Sequence, residues 1–386
     1  MTTTKKDFIQ KIGMSDRLSV IFQLTDRCVL SCRYCFAKGS LTHSPNGWFV
    51  QGVLERAIKQ SFGTRHKSVT FEWTGGEPFL AGISLFRRVK AFQDQHANKS
   101  FHNVIQTSGY LLDKELIDYL VEHEFRISVT IDGTKEVHDF NRPANGGKTS
   151  FDRILETREY IIQKQGSCGF ISTVTKKNIG KESDILELFR SLGVNAFHSN
   201  PYVYFSNNRV KDRKIALSNG DYARYFINQF NAWYAQADTY PTPITIENIL
   251  KGISRNASLQ STICTFGGRC LTNYIAIMPN GDAYLCPKFA GISKMRLGNV
   301  KSESIEEMLS VEVPKMKTMI RERISAINDC ERDGCKYLHV CNGGCPYLSL
   351  IESGGKNIRV RDRLCKGKTM LYDYMKGVVD ILKSKT

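Results

Sequence analysis

The chain has 386 residues, of which 41% are hydrophobic and 24% are charged, a balance typical of folded globular proteins. Its 54 lysines and arginines exceed its 38 aspartates and glutamates, which gives a formal net charge of +16. The composition excludes a disordered chain, and no apolar stretch is long enough for a membrane span or a secretory signal. We therefore expect a cytoplasmic protein of about two to three domains, with no membrane contact.

Short apolar segments alternate with amphipathic helical patterns over the first half of the chain. Strands are predicted at 18–24, 68–73, 103–107, 127–131, 169–175 and 194–199. Helices are predicted at 49–62, 84–95, 114–124, 151–165 and 183–192. Asp113 and Ser150 are the expected N-caps of two of these helices. This alternation predicts an α/β fold, a partial barrel of six strand–helix units whose chemistry lies at the C-terminal ends of the strands.

The pattern changes near residue 203, where a polar loop precedes an aromatic helix predicted over 221–237. After residue 263 we predict cysteine-spaced loops with short strands, and then a helix from residue 368 onward. The predicted domains are an N-terminal segment over 1–17, a barrel over 18–215, a bridging segment over 216–260 and a cysteine-rich domain over 261–386.

Twelve cysteines are the most informative feature of the composition. Because no secretory signal is present, metal ligation or catalysis is favoured over disulfides. Cys28, Cys32 and Cys35 lie together, Cys168 stands alone, and the other eight fall in the last third of the chain. This distribution predicts a cysteine-poor body with a metal site toward each end.

The first cysteine motif, CVLSCRYC, follows the first predicted strand. Three thiolates on one tight loop can ligate three irons of a four-iron cube, which leaves the fourth iron open to a cofactor. A zinc site would need a fourth ligand, for which His43 is the candidate. The motif resembles the CxxxCxxC signature of radical S-adenosylmethionine (SAM) enzymes, including the aromatic residue Tyr34 before the last cysteine.

Later segments carry the same resemblance to the radical SAM family. Residues 74–78 resemble the family's GGEP segment, whose glycines we expect to let the backbone approach the cofactor's amino group. The resemblance implies that Thr130 and Arg142 contact the carboxylate and ribose end of SAM, and that Tyr34 contacts its adenine. The predicted cofactor-binding residues are Tyr34, Gly75, Gly76, Glu77, Pro78, Gln106, Thr107, Thr130 and Arg142.

The eight C-terminal cysteines resemble the SPASM domain of peptide-modifying radical enzymes. Eight thiolates suffice for two fully ligated cubes, so the expected cofactors are SAM and three [4Fe–4S] clusters, while a zinc-ribbon-like module is the alternative. By resemblance, the two sets of ligands are Cys264, Cys270, Cys286 and Cys345 for one cluster and Cys330, Cys335, Cys341 and Cys365 for the other. The family usually has two residues where four separate Cys330 from Cys335, which leaves the geometry of the second cluster open.

The resemblance implies an oxidoreductase that cleaves SAM reductively to a 5′-deoxyadenosyl radical, which abstracts hydrogen from a peptide residue. A flavodoxin- or ferredoxin-type donor is the expected electron source. Over about residues 18 to 370 the chain resembles anaerobic sulfatase-maturating enzymes, which make formylglycine. In those enzymes an aspartate that serves as the base follows the cysteine of a G-x4-C segment, whereas here Pro287 follows Cys286.

The missing aspartate favours a maturase of ribosomally made peptides (RiPPs) that forms a cyclophane or thioether cross-link, with a precursor peptide as partner. Formylglycine formation is the alternative. RNA modification is a second alternative, because a positive charge suits phosphate contacts. Basic residues are spread along the chain, so nucleic acid is not the expected partner. Asp282, in the loop before Cys286, is the predicted catalytic base.

Overall fold

The structure is a computed structural model that describes residues 16–37, 48–50, 52–205, 212–255 and 270–384. The predicted ligand Cys264 and the zinc candidate His43 lie outside the described residues. Within the described ranges, no helix is both long enough and apolar enough to cross a membrane.

A ten-stranded sheet in the order β10-β9-β8-β1-β2-β3-β4-β5-β6-β7 forms the core of the molecule. Neighbouring strands from β1 to β7 pair in parallel, and β8 pairs in parallel with the free edge of β1. β9 and β10 continue this edge as antiparallel strands. The strands are β1 Arg17–Gln23, β2 Ser68–Thr74, β3 Ser100–Thr107, β4 Phe125–Thr130, β5 Gly169–Val174, β6 Ala196–Pro201, β7 Thr242–Pro243, β8 Tyr274–Ile277, β9 Asp282–Tyr284 and β10 Arg296–Asn299.

Helices connect the parallel strands and then make up most of the C-terminal part. In chain order they are α1 Val53–Phe62, α2 Gly82–His96, α3 Lys114–Glu122, α4 Lys135–Asn141, α5 Phe151–Gln165, α6 Glu182–Ser191, α7 Asn219–Tyr234, α8 Ile244–Arg255, α9 Cys270–Asn273, α10 Ile305–Leu309, α11 Pro314–Arg332, α12 Leu338–Cys341, α13 Pro346–Glu352 and α14 Cys365–Lys383.

Alternation along β2 shows why these residues form a barrel strand. Val69, Phe71 and Trp73 are fully buried, whereas the residues between them are only partly covered. Trp73 packs edge-on against Phe86 of α2, with ring centres 6.2 Å apart. Burial of such side chains contributes about 1.5–3 kcal/mol each. One face of the strand therefore packs against the outer helices.

The predicted fold class is confirmed, and all six predicted strands of the barrel are present near their predicted positions. Asp113 caps α3 as predicted, because its side chain accepts the Leu116 N–H at 3.0 Å. Ser150 precedes α5 but does not cap it, since its hydroxyl donates instead to the Arg142 carbonyl at 2.6 Å.

The loop prediction after residue 263 was wrong in one respect, because α11 is a helix of 19 residues. Its buried face includes Met316, Met319 and Arg323, a helical spacing that the cysteine pattern obscured. The cysteine-rich part is also joined to the barrel through β8, and β7 of the bridging segment pairs with β6. The domain boundaries stay predictions.

Candidate functional site

The cysteine loop, residues 28–35, follows β1 at the C-terminal edge of the parallel strands. Cys32 is buried, and Cys28 and Cys35 are half-buried. Burial is the main cause that raises the pKa of Cys28 to about 11 and that of Cys32 to about 12, and the neighbouring thiols contribute to both values. Thiols with such pKa values stay protonated at neutral pH unless a metal displaces the proton, so three clustered thiols suit a metal site.

The segment that follows α4 holds the cysteine loop in place. The Ser31 N–H donates to the Pro143 carbonyl at 2.7 Å, and the Arg33 N–H donates to the Asn141 carbonyl at 2.9 Å. These two bonds set Arg142 beside the thiols, where its charge lowers the pKa of Cys32 against the effect of burial.

Arg142 belongs to a buried polar network that reaches the cysteine loop. Its Nη1 donates to the Tyr34 hydroxyl at 2.8 Å, and that hydroxyl donates to Asp132 Oδ2 at 2.7 Å. Asp132 is fully buried, and burial raises its pKa although Arg142 opposes the change. Among the described residues, Arg142 Nε is one of the buried side-chain atoms without a hydrogen-bond partner. This donor suits an anionic ligand group, and the predicted contact with the SAM carboxylate stays a prediction.

The GGEP turn, residues 75–78, packs against the chain just before the cysteine loop. A Cβ on Gly76 would lie 2.0 Å from the Arg27 carbonyl oxygen, and one on Gly75 would lie 2.6 Å from the Thr25 oxygen. The Gly76 N–H donates to that same Thr25 oxygen at 2.7 Å. Both glycines are therefore required by the close approach of two loops, and their predicted contact with the cofactor stays a prediction.

Glu77 joins the GGEP turn to the end of β3. Its fully buried carboxylate accepts hydrogen bonds from the Thr107 hydroxyl at 2.6 Å and from the Ser108 N–H at 3.0 Å. Nearby, Gln106 Nε2 donates to Thr130 Oγ1 at 2.9 Å. The structure thus brings the residues predicted to bind the cofactor together at the C-terminal ends of β2, β3 and β4.

Cys330, Cys335, Cys341 and Cys365 line a single cavity in the C-terminal part. Cys330 lies in the last turn of α11, and its carbonyl accepts the Cys335 N–H at 2.9 Å. The Cys330 thiol donates to the sulfur of Cys335, which lowers the pKa of Cys335 to about 6. The longer spacing between Cys330 and Cys335 is therefore absorbed by the turn after the helix, and the two thiols remain neighbours.

Cys270, Cys286 and Cys345 are the described members of the other predicted set. Cys286 follows β9, and Cys345 directly precedes α13. Tyr347 lies two residues after Cys345, and its ring packs against that of Phe289, which is three residues after Cys286, so both cysteines belong to the surroundings of Tyr347.

The spacing of the thiols bears on whether they could bind a single metal ion or a cluster. Within the described ranges, no three His, Cys, Asp or Glu side chains are close enough to hold one ion. A four-iron cube requires a wider arrangement, because each thiolate binds a different iron. The cavity lined by four thiols fits that requirement.

Two tyrosines lie close to these predicted sites, Tyr202 beside the cysteine loop and Tyr347 beside Cys345. The ring of Tyr202, which follows β6, is centred 6.1 Å from the ring of Tyr34. The ring of Tyr347 is centred 5.7 Å from that of Phe289, and the Tyr202 hydroxyl is near enough to raise the pKa of Tyr347. Tyr202 and Tyr347 are each 5% exposed, and in the described part of the chain neither hydroxyl has a hydrogen-bond partner. Such hydroxyls are suited to bind a polar ligand.

Neither Tyr202 nor Tyr347 is among the site residues predicted from the sequence. Arg323 was not predicted either; it donates to the Gly344 carbonyl at 3.0 Å and so holds the loop between Cys341 and Cys345. The spacing of buried residues on α11 would have indicated that Arg323 is buried. Tyr347 carries no such signal, because its role depends on contacts with residues far away in the chain.

Asp282, the predicted catalytic base, is engaged in the hairpin of β9 and β10. Its carboxylate accepts hydrogen bonds from Arg296 Nε at 2.5 Å, Asn299 Nδ2 at 2.9 Å and Asn280 Nδ2 at 2.8 Å. Burial opposes the change, but these donors lower the pKa of Asp282 below its usual value. A carboxylate held in this way is a poor proton acceptor, so the geometry supports a structural role.

Comparisons with known proteins agree with this geometry. Residues 22–197 match the radical SAM superfamily, and residues 264–342 match SPASM, an iron–sulfur cluster-binding domain. The cysteine-type anaerobic sulfatase-maturating enzyme of Clostridium perfringens is 26% identical over 82% of this chain and 85% of its own. The serine-type enzyme of Klebsiella aerogenes is 25% identical over 88% of this chain and 80% of its own.

Two solved structures show the same fold. Native anSMEcpe with bound AdoMet has a TM-score of 0.82 and 23% identity, and the match covers 95% of this chain and 100% of that one. Streptococcus suis SuiB bound to precursor peptide SuiA has a TM-score of 0.63 and 16% identity, over 93% of this chain and 78% of that one. Because of its two family matches, the protein is a radical SAM enzyme with a C-terminal SPASM domain. Within that class, it is similar to the anaerobic sulfatase-maturating enzymes.

Proposed function

We propose that this enzyme oxidises a side chain in an extended segment of a protein or peptide, and that formylglycine is its product. The observation that carries the proposal is a pair of buried hydroxyls, that of Tyr202 beside the cysteine loop and that of Tyr347 beside Cys345, neither of which has a hydrogen-bond partner among the described residues. A substrate bound there would lie between the site of radical formation and an iron–sulfur cluster.

The comparisons support formylglycine above the cross-link that the sequence favours. The curated relatives named above are sulfatase-maturating enzymes, and anSMEcpe has also been solved with a peptide bound, at a TM-score of 0.81 and 22% identity. SuiB, which is solved with its precursor peptide, is less similar in structure. The alternative of RNA modification finds no support among these relatives.

In this proposal, each group of residues has a separate task. Cys28, Cys32 and Cys35 would hold a [4Fe–4S] cluster, which with SAM would supply the radical chemistry that removes a hydrogen atom from the substrate. Arg142 would orient the cofactor from its buried position beside Cys32. Tyr202 and Tyr347 would orient the substrate by hydrogen bonds. The two sets of four C-terminal thiols would hold two auxiliary clusters, which would supply an acceptor for the electron that the oxidation releases.

Pro287 is the specific observation that favours a second candidate, a cross-linking peptide maturase. It begins a short turn directly after Cys286. By resemblance, this is the position at which the sulfatase-maturating family has the aspartate that serves as the base. Proline has no group that accepts a proton. A cross-link to a neighbouring aromatic or heteroatom is therefore the second candidate for the product.

A carbonyl assay separates the two products. The reconstituted enzyme is incubated without oxygen with SAM, a reductant and synthetic peptides that contain the active-site cysteine or serine of a sulfatase. Formylglycine reacts with a hydrazide reagent, whereas a cyclophane or thioether does not. We expect hydrazide-reactive peptide that disappears when Cys28, Cys32 and Cys35 are replaced by alanine. Oxidised peptide without a carbonyl would support the cross-link, and an unmodified peptide beside active SAM cleavage would contradict the proposed substrate class.

A further inference from the structure

A buried ion pair lies between the two predicted auxiliary sites. Lys368 Nζ is 2.6 Å from Asp362 Oδ2, and the two side chains are 2% and 1% exposed. Removing two charges from water is costly, and the cost is recovered only when additional groups satisfy both partners. The surroundings of each charge therefore indicate what the pair does.

The carboxylate of Asp362 is fixed to the loop that carries Cys345. Its Oδ2 accepts the Cys345 N–H at 3.1 Å, and its Oδ1 accepts the Leu364 N–H at 2.9 Å. The approach is close, because a Cβ on Gly344 would lie 2.0 Å from Oδ2. The negative end of the pair thus faces a predicted ligand of the first auxiliary set.

The ammonium of Lys368 lies beside the other set. Lys368 lines the same cavity as Cys330, Cys335, Cys341 and Cys365, and Asp362 lines it too, so both charges act on this set. The charge of Cys341 is among the causes that raise the pKa of Lys368, although burial opposes the change. The positive end of the pair is therefore beside the four thiols of the second set.

We infer that the positive charge of Lys368 raises the reduction potential of the cluster held by Cys330, Cys335, Cys341 and Cys365, and that the negative charge of Asp362 limits this effect. One-electron reduction adds a negative charge to a four-thiolate cluster, and a buried cation stabilises that charge because little water screens it. The electron comes from the oxidised substrate, so the pair favours its transfer toward the second auxiliary cluster. The inference rests on the proposed auxiliary clusters and is independent of the identity of the substrate.

Arg361 also lines this cavity, but its effect is weaker for a physical reason. Its side chain is 36% exposed and pairs with Asp333, which is 48% exposed. Water screens such a pair, whereas Lys368 and Asp362 have almost no contact with water. The charges that act on the second site with little screening are therefore those of Lys368 and Asp362.

The test is a redox titration of the full, reconstituted chain followed by electron paramagnetic resonance, without substrate. In Lys368→Met, we expect one auxiliary cluster to lose at least tenfold in its equilibrium constant for reduction, which is about 59 mV for one electron. Lys368→Arg keeps the charge and should keep the potential. Lys366→Met, which removes an exposed charge from the same helix, is the matched control.

Asp362→Asn should have the opposite effect to Lys368→Met. It leaves the ammonium of Lys368 uncompensated and should therefore raise the reduction potential of the same cluster. The inference is overturned if Lys368→Met shifts no more than Lys366→Met, or if both members of the pair shift the potential in one direction. If Lys368→Met fails to bind iron, Asp362→Asn and Lys368→Arg test the inference instead. A purely structural role of the pair predicts no rise of the reduction potential in Asp362→Asn. Failure of the carbonyl assay would leave these potentials unchanged.

Discussion

The hydroxyls of Tyr202 and Tyr347 are the residue-scale feature that most directly connects this structure to a substrate. Each side chain is buried, and each hydroxyl is without a hydrogen-bond partner in the described part of the chain. An unsatisfied buried hydroxyl costs about 1–3 kcal/mol, a cost that a bound polar group would remove. In the proposed function, both tyrosines would gain hydrogen bonds when the substrate binds.

Tyr202→Phe and Tyr347→Phe should each lower the rate of peptide modification about tenfold, because one hydrogen bond to the substrate is lost. Cleavage of SAM without peptide should stay within about threefold of the wild type, since the cysteine loop is unchanged. Chromatography of 5′-deoxyadenosine and mass spectrometry of the peptide measure the two quantities. Tyr374→Phe, at an exposed hydroxyl that bonds to Asn231, is the control. If Tyr202→Phe and Tyr347→Phe both modified the peptide at the wild-type rate, the proposed role of these hydroxyls in substrate binding would be contradicted.

At the scale of elements, the GGEP turn and the cysteine loop behave as one unit. The Gly76 N–H donates to the Thr25 carbonyl at 2.7 Å, and the Glu77 N–H donates to the Arg27 carbonyl at 2.9 Å. Glu77 then joins this unit to the end of β3 through Thr107. The position of the predicted metal site therefore depends on a turn that contributes no metal ligand.

Gly76→Ala should disrupt this unit, because the added Cβ would lie 2.0 Å from the Arg27 carbonyl oxygen, which belongs to backbone. We expect a loss of stability of about 1–3 kcal/mol and a loss of SAM cleavage that exceeds the loss of folded protein. Thermal unfolding and 5′-deoxyadenosine formation measure these effects.

Gly377→Ala is the matched control for the change at Gly76. Gly377 lies inside α14, and nothing is within 4 Å of the added Cβ. The control should gain about 0.5–1 kcal/mol, since alanine is the better helix former. Normal SAM cleavage by Gly76→Ala would show that the close approach of the two loops is unimportant.

At the scale of the whole molecule, the continuous sheet determines how the metal sites are arranged. β8 pairs with β1, the strand that leads into the cysteine loop, and β9 leads to Cys286. The SPASM domain is therefore attached to the barrel through the strand that positions the first metal site. The two parts also meet where the ring of Tyr347, which follows the matched SPASM residues 264–342, packs against that of Phe205, three residues after Tyr202.

Three [4Fe–4S] clusters predict about twelve irons in each anaerobically reconstituted chain. Replacement of Cys28, Cys32 and Cys35 by alanine should leave about eight irons, because the two C-terminal sets are separate from the cysteine loop. Replacement of Cys335 and Cys365 should lower the iron content while SAM still binds. Elemental analysis and Mössbauer spectroscopy measure the content and type of the clusters. Stoichiometric zinc in the C-terminal domain would instead identify the zinc-ribbon alternative.

The sequence by itself determined the fold class and the type of metal chemistry. Strand–helix alternation is a local property, so β2 was predicted at 68–73 and is found at Ser68–Thr74. Cysteine spacing is equally local, and the motif at Cys28, Cys32 and Cys35 predicted a radical SAM site that the family match supports. The helix α11 was missed because closely spaced cysteines drew attention away from its helical period.

Only the tertiary structure decided which distant residues share a site. It brought Cys330 and Cys365 to one cavity, placed Tyr347 near Tyr202, and buried Lys368 against Asp362. It also placed three hydrogen-bond donors from its own hairpin on the carboxylate of Asp282. Each of these outcomes depends on contacts between separate elements, and such contacts leave no periodic pattern in the sequence.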